Sequence, residues 1–422
     1  MTQPDTSLSQ PQRSLRVNTV WAITGNVLHS GSRFAIVLIL TKAFASDQVG
    51  RVLYALAVVT PLSFLINMEL RSVYVTDTRD WVRLGDCLAV RAVSNALLLL
   101  ALITLCLLQA HHWSLQQRLL ILLAGTVRMA ESWADIYLGV LQKKEHMKRW
   151  TISQVSKALG VLASVLFTAL CCDNPVWMFL GWTAAVLVVL WFYDRPQAAR
   201  FTDVRVHWHN QVNKELVRRA LPLGVFVALA IMNHYVGQYY IAPVWGDSAV
   251  AYFGVLWSFI AGAAAVQNGV DQAVQPRLAR YCAYDPNEFR LLLLKVLLWS
   301  WAAMAGLLLA VYLAGPTILS ILYDHEYAKH ADVFLIVALA GCIMMTGMIL
   351  GDTIVACHRF KSRMLAVAAG VALNAALCSL WVKPHGLTGA AWAAVASAAL
   401  TTTICLAVLL HANRTQKVQS ND

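Results

Sequence analysis

Charge is what this sequence has least of. Asp, Glu, Lys and Arg together make up 13% of 422 residues, against about 25% in a typical soluble domain. That scarcity excludes an ordinary soluble protein, and no stretch shows the period-2 alternation that a soluble β domain would need. Metal-ligand spacing is missing as well, with no CxxC and no His-rich run. Among the nine cysteines, Cys106, Cys342, Cys378 and Cys405 lie in long apolar runs, where a free thiol behaves as a small hydrophobe. The adjacent Cys171 and Cys172 read as helix-end fillers rather than a disulfide framework. No A-x-A-like cleavage site separates the polar first 16 residues from Leu40. The first apolar run therefore reads as a retained span and not as a signal peptide.

Apolar residues are abundant, at 59% of the chain, which at about 20 residues per crossing leaves room for about twelve spans. Apolar windows bounded by charge or turn signals place them near residues 17–42, 51–70, 86–109, 118–141, 151–172, 175–193, 218–243, 248–275, 291–314, 332–356, 363–381 and 388–411. Each is expected to be helical, because a chain in lipid must satisfy its backbone internally and barrel-type alternation is absent. The expected fold class is an all-α polytopic membrane protein of 12 transmembrane helices.

The longest internal polar stretch, Asp194 to Glu215, comes after the sixth span. It divides the chain into an N-terminal six-helix lobe (1–193), a cytoplasmic linker (194–217) and a C-terminal six-helix lobe (218–422). Both halves begin on the same side, so a repeat would be parallel, about an axis along the membrane normal. Two echoes support one: residues 47–54 against 246–253, and the run from Asp135 to Lys144 against that from Asp352 to Lys361.

Orientation is set by the basic residues. Arg13 and Arg16, then Arg71, Arg79 and Arg83, then Lys143, Lys144, Lys148 and Arg149, the run from Arg195 to Arg219, then Arg277, Arg280 and Arg290, then Arg359, Lys361 and Arg363 fall on one side, with Arg414 and Lys417 at the end. The opposite connections carry only Lys42, Arg51, Arg118, Lys329 and Lys383. Both termini are thus expected in the cytoplasm. The formal charge of +11 and pI near 9.3 become a topology signal, with no nucleic-acid partner implied. Trp81, Trp113, Trp150, Trp177, Trp191, Trp245 and Trp381 stand near span ends as an aromatic belt would. Trp182, Trp257 and Trp301 are mid-span and read as packing residues.

Charges inside spans cost at least about 2.5 to 3.5 kcal/mol at a helix centre, so their depth matters. A rise of about 1.5 Å per residue puts Arg33 and Arg128 roughly 20 to 24 Å from the cytoplasmic boundary. His29 and Glu131 lie within a turn of them. Asp135 and Lys157 are each roughly 10 Å from the inner ends of adjacent spans, at a depth where they can pair. Arg128, Glu131 and Asp135 stand at i, i+3 and i+7 on one face. Two readings stay open: Arg128–Glu131 and Asp135–Lys157 pairs that glue helices, or a polar cavity whose cations meet an anionic substrate. The second is favoured because Arg33 has no carboxylate of its own in the sequence pattern.

The eighth span carries Asn268, Asp271, Gln272 and Gln275 as a polar stripe, suited to a cavity wall or a helix seam. The seventh carries His234 and Gln238. Arg91 and Lys295 are placed where they can snorkel.

In this order the segments resemble a known family. Asn18 to Arg33 with Ser46-Asp47-Gln48-Val49-Gly50, Arg128-Met129-Ala130-Glu131 through Tyr137 to Gln142, Ala220-Leu221-Pro222-Leu223-Gly224, Gln275-Pro276-Arg277-Leu278-Ala279, Gly315 to Tyr327, and Asn374 with Gly386 to Ala391 are similar to bacterial polysaccharide flippases. The likeness spans nearly the whole chain. It implies an O-antigen, capsule or exopolysaccharide repeat-unit flippase of the multidrug/oligosaccharidyl-lipid/polysaccharide exporter superfamily, in the bacterial inner membrane. It also implies two pseudo-symmetric six-helix bundles forming a V-shaped central cavity, alternating access, and an undecaprenyl-diphosphate-linked glycan as cargo. A glycan polymerase and a chain-length regulator are implied as partners.

The related lipid II flippases set a first-span arginine against the pyrophosphate, and Arg33 is the position that matches. Arg128 and Lys157 are added on physical grounds, because guanidinium and ammonium groups suit phosphate oxygens. His29, His234, Gln238, Asn268, Asp271, Gln272 and Gln275 are expected to line the cavity. Glu131 and Asp135 are expected to couple or gate through H⁺ or Na⁺, with no cofactor. The alternative is a multidrug or cation antiporter of the same superfamily. No nucleophile, metal or acid-base constellation points to an enzyme.

Overall fold

A computed structural model describes residues 15–77, 80–357 and 359–419. Arg13 and Arg79 lie outside the described residues, as do the side chains of Arg16, Asn268, Gln272, Arg414 and Lys417. Among the described residues the chain is helical with no strand. In order come α1 (Leu15–Ala43), α2 (Ser46–Asn67), α3 (Leu70–Thr76), α4 (Leu84–Leu108), α5 (Leu115–Lys143), α6 (Met147–Cys171) and α7 (Val176–Val189). A five-residue π turn (Leu190–Asp194) leads to α8 (Arg195–Ala199), and then to α9 (Asn210–Tyr284), α10 (Pro286–Leu322), α11 (His325–Ala328), α12 (Ala331–Ala356) and α13 (Phe360–Gln419). Nine helices among the described residues are long and apolar enough to cross a membrane. Helix α5 is not among them, and it is the helix that carries Arg118, Arg128, Glu131 and Asp135.

Two of the long helices reverse. Gly246 (φ 79, ψ −178) breaks α9 in a region of the map open essentially to glycine. Beyond it, Phe253 packs on Gly237, and Gly254 faces Gln238. In a straight helix residues so separated would be about 24 Å apart, so the contacts show that α9 is a hairpin. Gly386 (φ 57) does the same in α13, where Ser397 Oγ donates to Gly370 O at 2.8 Å.

Hydropathy alone puts the second span at 51–70. Instead Ser46 to Gly50 form the first turn of α2, and the helix stops at Asn67 because Met68 takes φ 54. Arg91 supports that stop. It donates through Nη1 to Asn67 O at 2.7 Å and is only 2% exposed, so it does not snorkel as expected. A cation on the last carbonyls of a helix is favourable.

One buried core runs from Ile36 through Ala220 and takes in Ala251. A second runs from Val236 to Ala393. The echoed segments 47–54 and 246–253 pack on each other: Ser46 Oγ lies 3.2 Å from Ser248 Oγ, and Arg51 Nε lies 2.9 Å from Asp247 Oδ2. At the other end, the segment after α8 docks on α4, with His209 Nδ1 2.6 Å from Asp86 Oδ1. Cys282 and Cys357, which carry no pairing signal in the sequence, form a disulfide between the ends of α9 and α12. Two tryptophans depart from expectation. Trp150 is buried rather than part of a belt, and Trp301 is 47% exposed, donating to Thr346 Oγ1 at 3.1 Å.

Candidate functional site

A cavity of about 620 Å³ opens among α1, α2, α3, α5, α6 and α7, with Arg91 of α4 in its wall. Every residue around it comes from positions 29 to 186. Amphipathic placement explains this: α1 turns His29, Ser32, Arg33 and Ile36 to one side, and α5 presents Arg128, Glu131, Ser132, Asp135 and Gln142 on its facing side. Polar side chains inside a membrane bundle cluster where they can meet one another or water.

Glu131 sits at the centre. Its Oε1 lies 2.8 Å from Arg33 Nη2, and its Oε2 lies 2.7 Å from Arg128 Nη1. Trp182 Nε1 donates to Oε1 at 3.2 Å, and the Arg33 guanidinium lies 5.1 Å from the Trp182 ring centre. Arg128 Nη2 donates to Thr60 Oγ1 at 2.9 Å. The expectation that Arg33 lacks a carboxylate is thereby overturned: it shares Glu131 with Arg128. The Arg128–Glu131 pair is as expected.

The Asp135–Lys157 pair is not formed. Asp135 Oδ1 instead accepts from Arg71 Nη1 at 2.7 Å, and Arg71 also donates to Gln142 Oε1 at 2.7 Å. Lys157 Nζ lies 2.5 Å from Asp194 Oδ2, with Asp194 fully buried rather than opening a solvated linker. The reason is reach. Arg71 arrives from the short helix after the Met68 break, which hydropathy windows merge into one span. The π turn brings Asp194 to α6.

Five cations (Arg33, Arg71, Arg91, Arg128 and Lys157) and three carboxylates (Glu69, Glu131 and Asp135) surround the cavity. Among the described residues Arg91 has no carboxylate within ion-pair distance. Such a site has spare guanidinium donors for an anion, and Arg forks match phosphate oxygens. Sequence reasoning finds His29, Arg33, Arg128, Glu131, Asp135 and Lys157, which the fold brings together. It misses Arg71, Arg91 and Trp182, whose only signal is an ionisable or indole group beside a span boundary or in its middle.

The second-half candidates lie elsewhere. His234 packs edge-on against Trp257, ring centres 5.6 Å apart. Gln238 is 3% exposed and lies against Gly254. Asp271 Oδ1 accepts from Gln267 at 2.8 Å, and Gln267 accepts from Ser300 at 3.1 Å, a buried seam between α9 and α10. Neither these residues nor Gln275 lines the cavity. A smaller cavity beside Ser72 and Thr76 does reach the second half, at Arg219 and Leu223, with Arg219 4.7 Å from the Trp81 ring centre.

The chain is similar to known transporters. A lipid II flippase, MurJ, in an inward closed conformation superposes with a TM-score of 0.70 over 93% of this chain and 87% of that one, at 11% identity. An inward-facing multidrug resistance MATE transporter of the MOP superfamily gives 0.63 over 96% of both chains, also at 11% identity. The chain has the fold of the MOP-superfamily transporters. A curated relative, the capsular polysaccharide biosynthesis protein CapF of Staphylococcus aureus, is 24% identical over 354 residues, 82% of this chain and 86% of CapF. No family model matches the chain. The resemblance read from the sequence is borne out by these likenesses.

Proposed function

We propose that the chain is a flippase that moves a diphosphate-linked lipid glycan across the bacterial inner membrane, with the diphosphate held in the first-half cavity. The observation that carries this reading is the sign of the cavity: with Lys157 neutralised by Asp194, four guanidiniums (Arg33, Arg71, Arg91 and Arg128) stand against three carboxylates. A carrier of cationic drugs would need the opposite sign, so the antiporter reading is disfavoured. Likeness to a capsule biosynthesis protein and to a lipid II flippase supports a glycan on a polyprenyl diphosphate as the cargo.

In this reading α5 crosses with the nine apolar helices, and the two hairpins count twice, giving twelve crossings in two lobes. Asp194 and Ala198 are buried with the first half, so the connecting linker begins after α8. With both termini cytoplasmic, the cavity opens toward the cytoplasm, and the contacts of Arg51 and Ser46 with the Gly246 turn close the outer side. Arg33 and Arg128 take the diphosphate through the guanidinium edges that Glu131 leaves free, and the acyl chain stays in lipid. The sugars extend toward Ser72, Thr76, Trp81 and Arg219. Glu131 is paired with two arginines and Asp135 with one, so an H⁺ or Na⁺ gradient would act by releasing those pairs.

The test is glycan display on intact cells carrying well-expressed variants. Arg33→Ala and Arg128→Ala are each expected to lower display at least about tenfold, in line with the loss of a charge-assisted hydrogen bond of about 1.5–3 kcal/mol. Wild-type display by both variants would remove the cation role.

A further inference from the structure

Lys157 lines the cavity, yet its ammonium is shielded from solvent and lies 2.5 Å from an Asp194 carboxylate that is itself 0% exposed. Asp194 reaches that place because of local backbone geometry. The Arg195 N–H bonds to Leu190 O, five residues back, and so closes a π turn between α7 and α8. A π turn inserts one residue, which rotates the downstream chain by about 100° around the helix. Without it, the Asp194 carboxylate would swing off the face that meets α6. Arg195, next in the chain, lies 4.8 Å from the Trp191 ring centre and makes no ion pair with Asp194. The turn therefore delivers one buried carboxylate to one buried lysine, and π turns recur at functional sites.

We infer that Asp194 is an internal stand-in for the substrate's phosphate: it holds Lys157 until substrate arrives, and the incoming diphosphate takes the ammonium over. This rests on the proposed diphosphate cavity and adds a competitor to it. A lysine is suited to the exchange, because its ammonium is a point charge on a four-carbon stem that can swing, whereas the arginine forks are fixed by Glu131 and Thr60. Loss of Lys157 leaves a buried carboxylate uncompensated, which disfavours the contact between α6 and the π turn. That contact lies just ahead of the segment joining the two halves. Anion binding in the cavity is thereby linked to movement at the joint.

The experiment measures binding of inorganic diphosphate to the purified full chain in lipid nanodiscs by calorimetry. Asp194→Asn keeps the shape and removes the competitor; it is expected to bind diphosphate about tenfold more tightly than wild type. Lys157→Met/Asp194→Met replaces both charges with apolar side chains, which buried pairs commonly tolerate. It is expected to fold and to bind about tenfold more weakly. Asp194→Glu, which keeps the charge, is expected to stay near wild type. Unchanged or weaker binding by folded Asp194→Asn would overturn the inference, as would wild-type affinity in the double variant. If the wild type binds no diphosphate, or binds it independently of Arg33 and Arg128, the proposed function itself fails. If binding depends on those arginines but not on Asp194 or Lys157, only the stand-in role fails.

Discussion

Replacing Glu131 is the most informative perturbation of stability. One carboxylate holds two guanidiniums, at 2.8 Å to Arg33 and 2.7 Å to Arg128, and takes a third bond from Trp182. A hydrogen bond to a charged group contributes about 1.5–3 kcal/mol, so two such bonds set an upper bound near about 6 kcal/mol. Water in the cavity screens them, since the side chains of Arg33, Glu131 and Arg128 are 33%, 21% and 13% exposed. We therefore expect Glu131→Ala to cost about 2–4 kcal/mol, and Glu131→Gln, which retains a neutral acceptor for Arg and Trp182, about half as much. The assay is thermal unfolding of the purified protein monitored by intrinsic tryptophan fluorescence, with Arg33→Ala and the double variant Arg33→Ala/Glu131→Ala alongside. Coupling of at least about 1 kcal/mol is expected between residues sharing an ion pair. Wild-type stability of Glu131→Ala, or strictly additive losses in the double variant, would refute the shared-carboxylate account.

The backbone makes further predictions. Gly246→Ala forces a side chain into the glycine-only region at φ 79 and should cost about 1–3 kcal/mol, read as a fall in the unfolding temperature; an unchanged temperature would contradict the reversal. Gly50→Ala would drive a methyl into the backbone carbonyl of Asp247. It should loosen the contact between α2 and the α9 turn and increase labelling of a cysteine at Ser248, whereas unaltered labelling would show that the contact is not tight. Arg91→Met leaves the Asn67 carbonyl without its buried donor and should cost about 1–3 kcal/mol. Stability equal to wild type would mean that the end of α2 is satisfied in another way.

The helical state and the membrane class are legible in the sequence because both depend on composition over windows of about twenty residues, which averages out local detail. The cavity is legible in part. Arg33, Arg128, Glu131 and Asp135 stand out because a charge deep in an apolar run is costly, and costly groups collect together. Their partners are not legible. Arg71 reaches Asp135 only because Met68 adopts a positive φ and starts a new helix, and Asp194 reaches Lys157 only because of a π turn. The first break has no glycine or proline at its position, whereas the second is followed closely by Pro196, which lacks the N–H that would continue the ladder but does not reveal a π turn by itself. The polar stripe near Asp271 is ambiguous for a different reason: seam and cavity wall share the same helical spacing, and only the packing of α10 on α9, where Gln267 bonds both Asp271 and Ser300, separates them.

Whether the cavity's cations carry a diphosphate-linked lipid across the bilayer is decided by reconstituting the purified chain in proteoliposomes with a polyprenyl-diphosphate glycan and detecting arrival of the glycan at the far leaflet with an impermeant lectin. Transfer is expected to depend on the protein, to be inhibited by inorganic diphosphate and to fall at least about tenfold in Arg33→Ala/Arg128→Ala, from the loss of about 1.5–3 kcal/mol per charged contact. Transfer at the wild-type rate in that variant, or no transfer of the glycan by a protein that exports cationic drugs, would contradict that role for the cations.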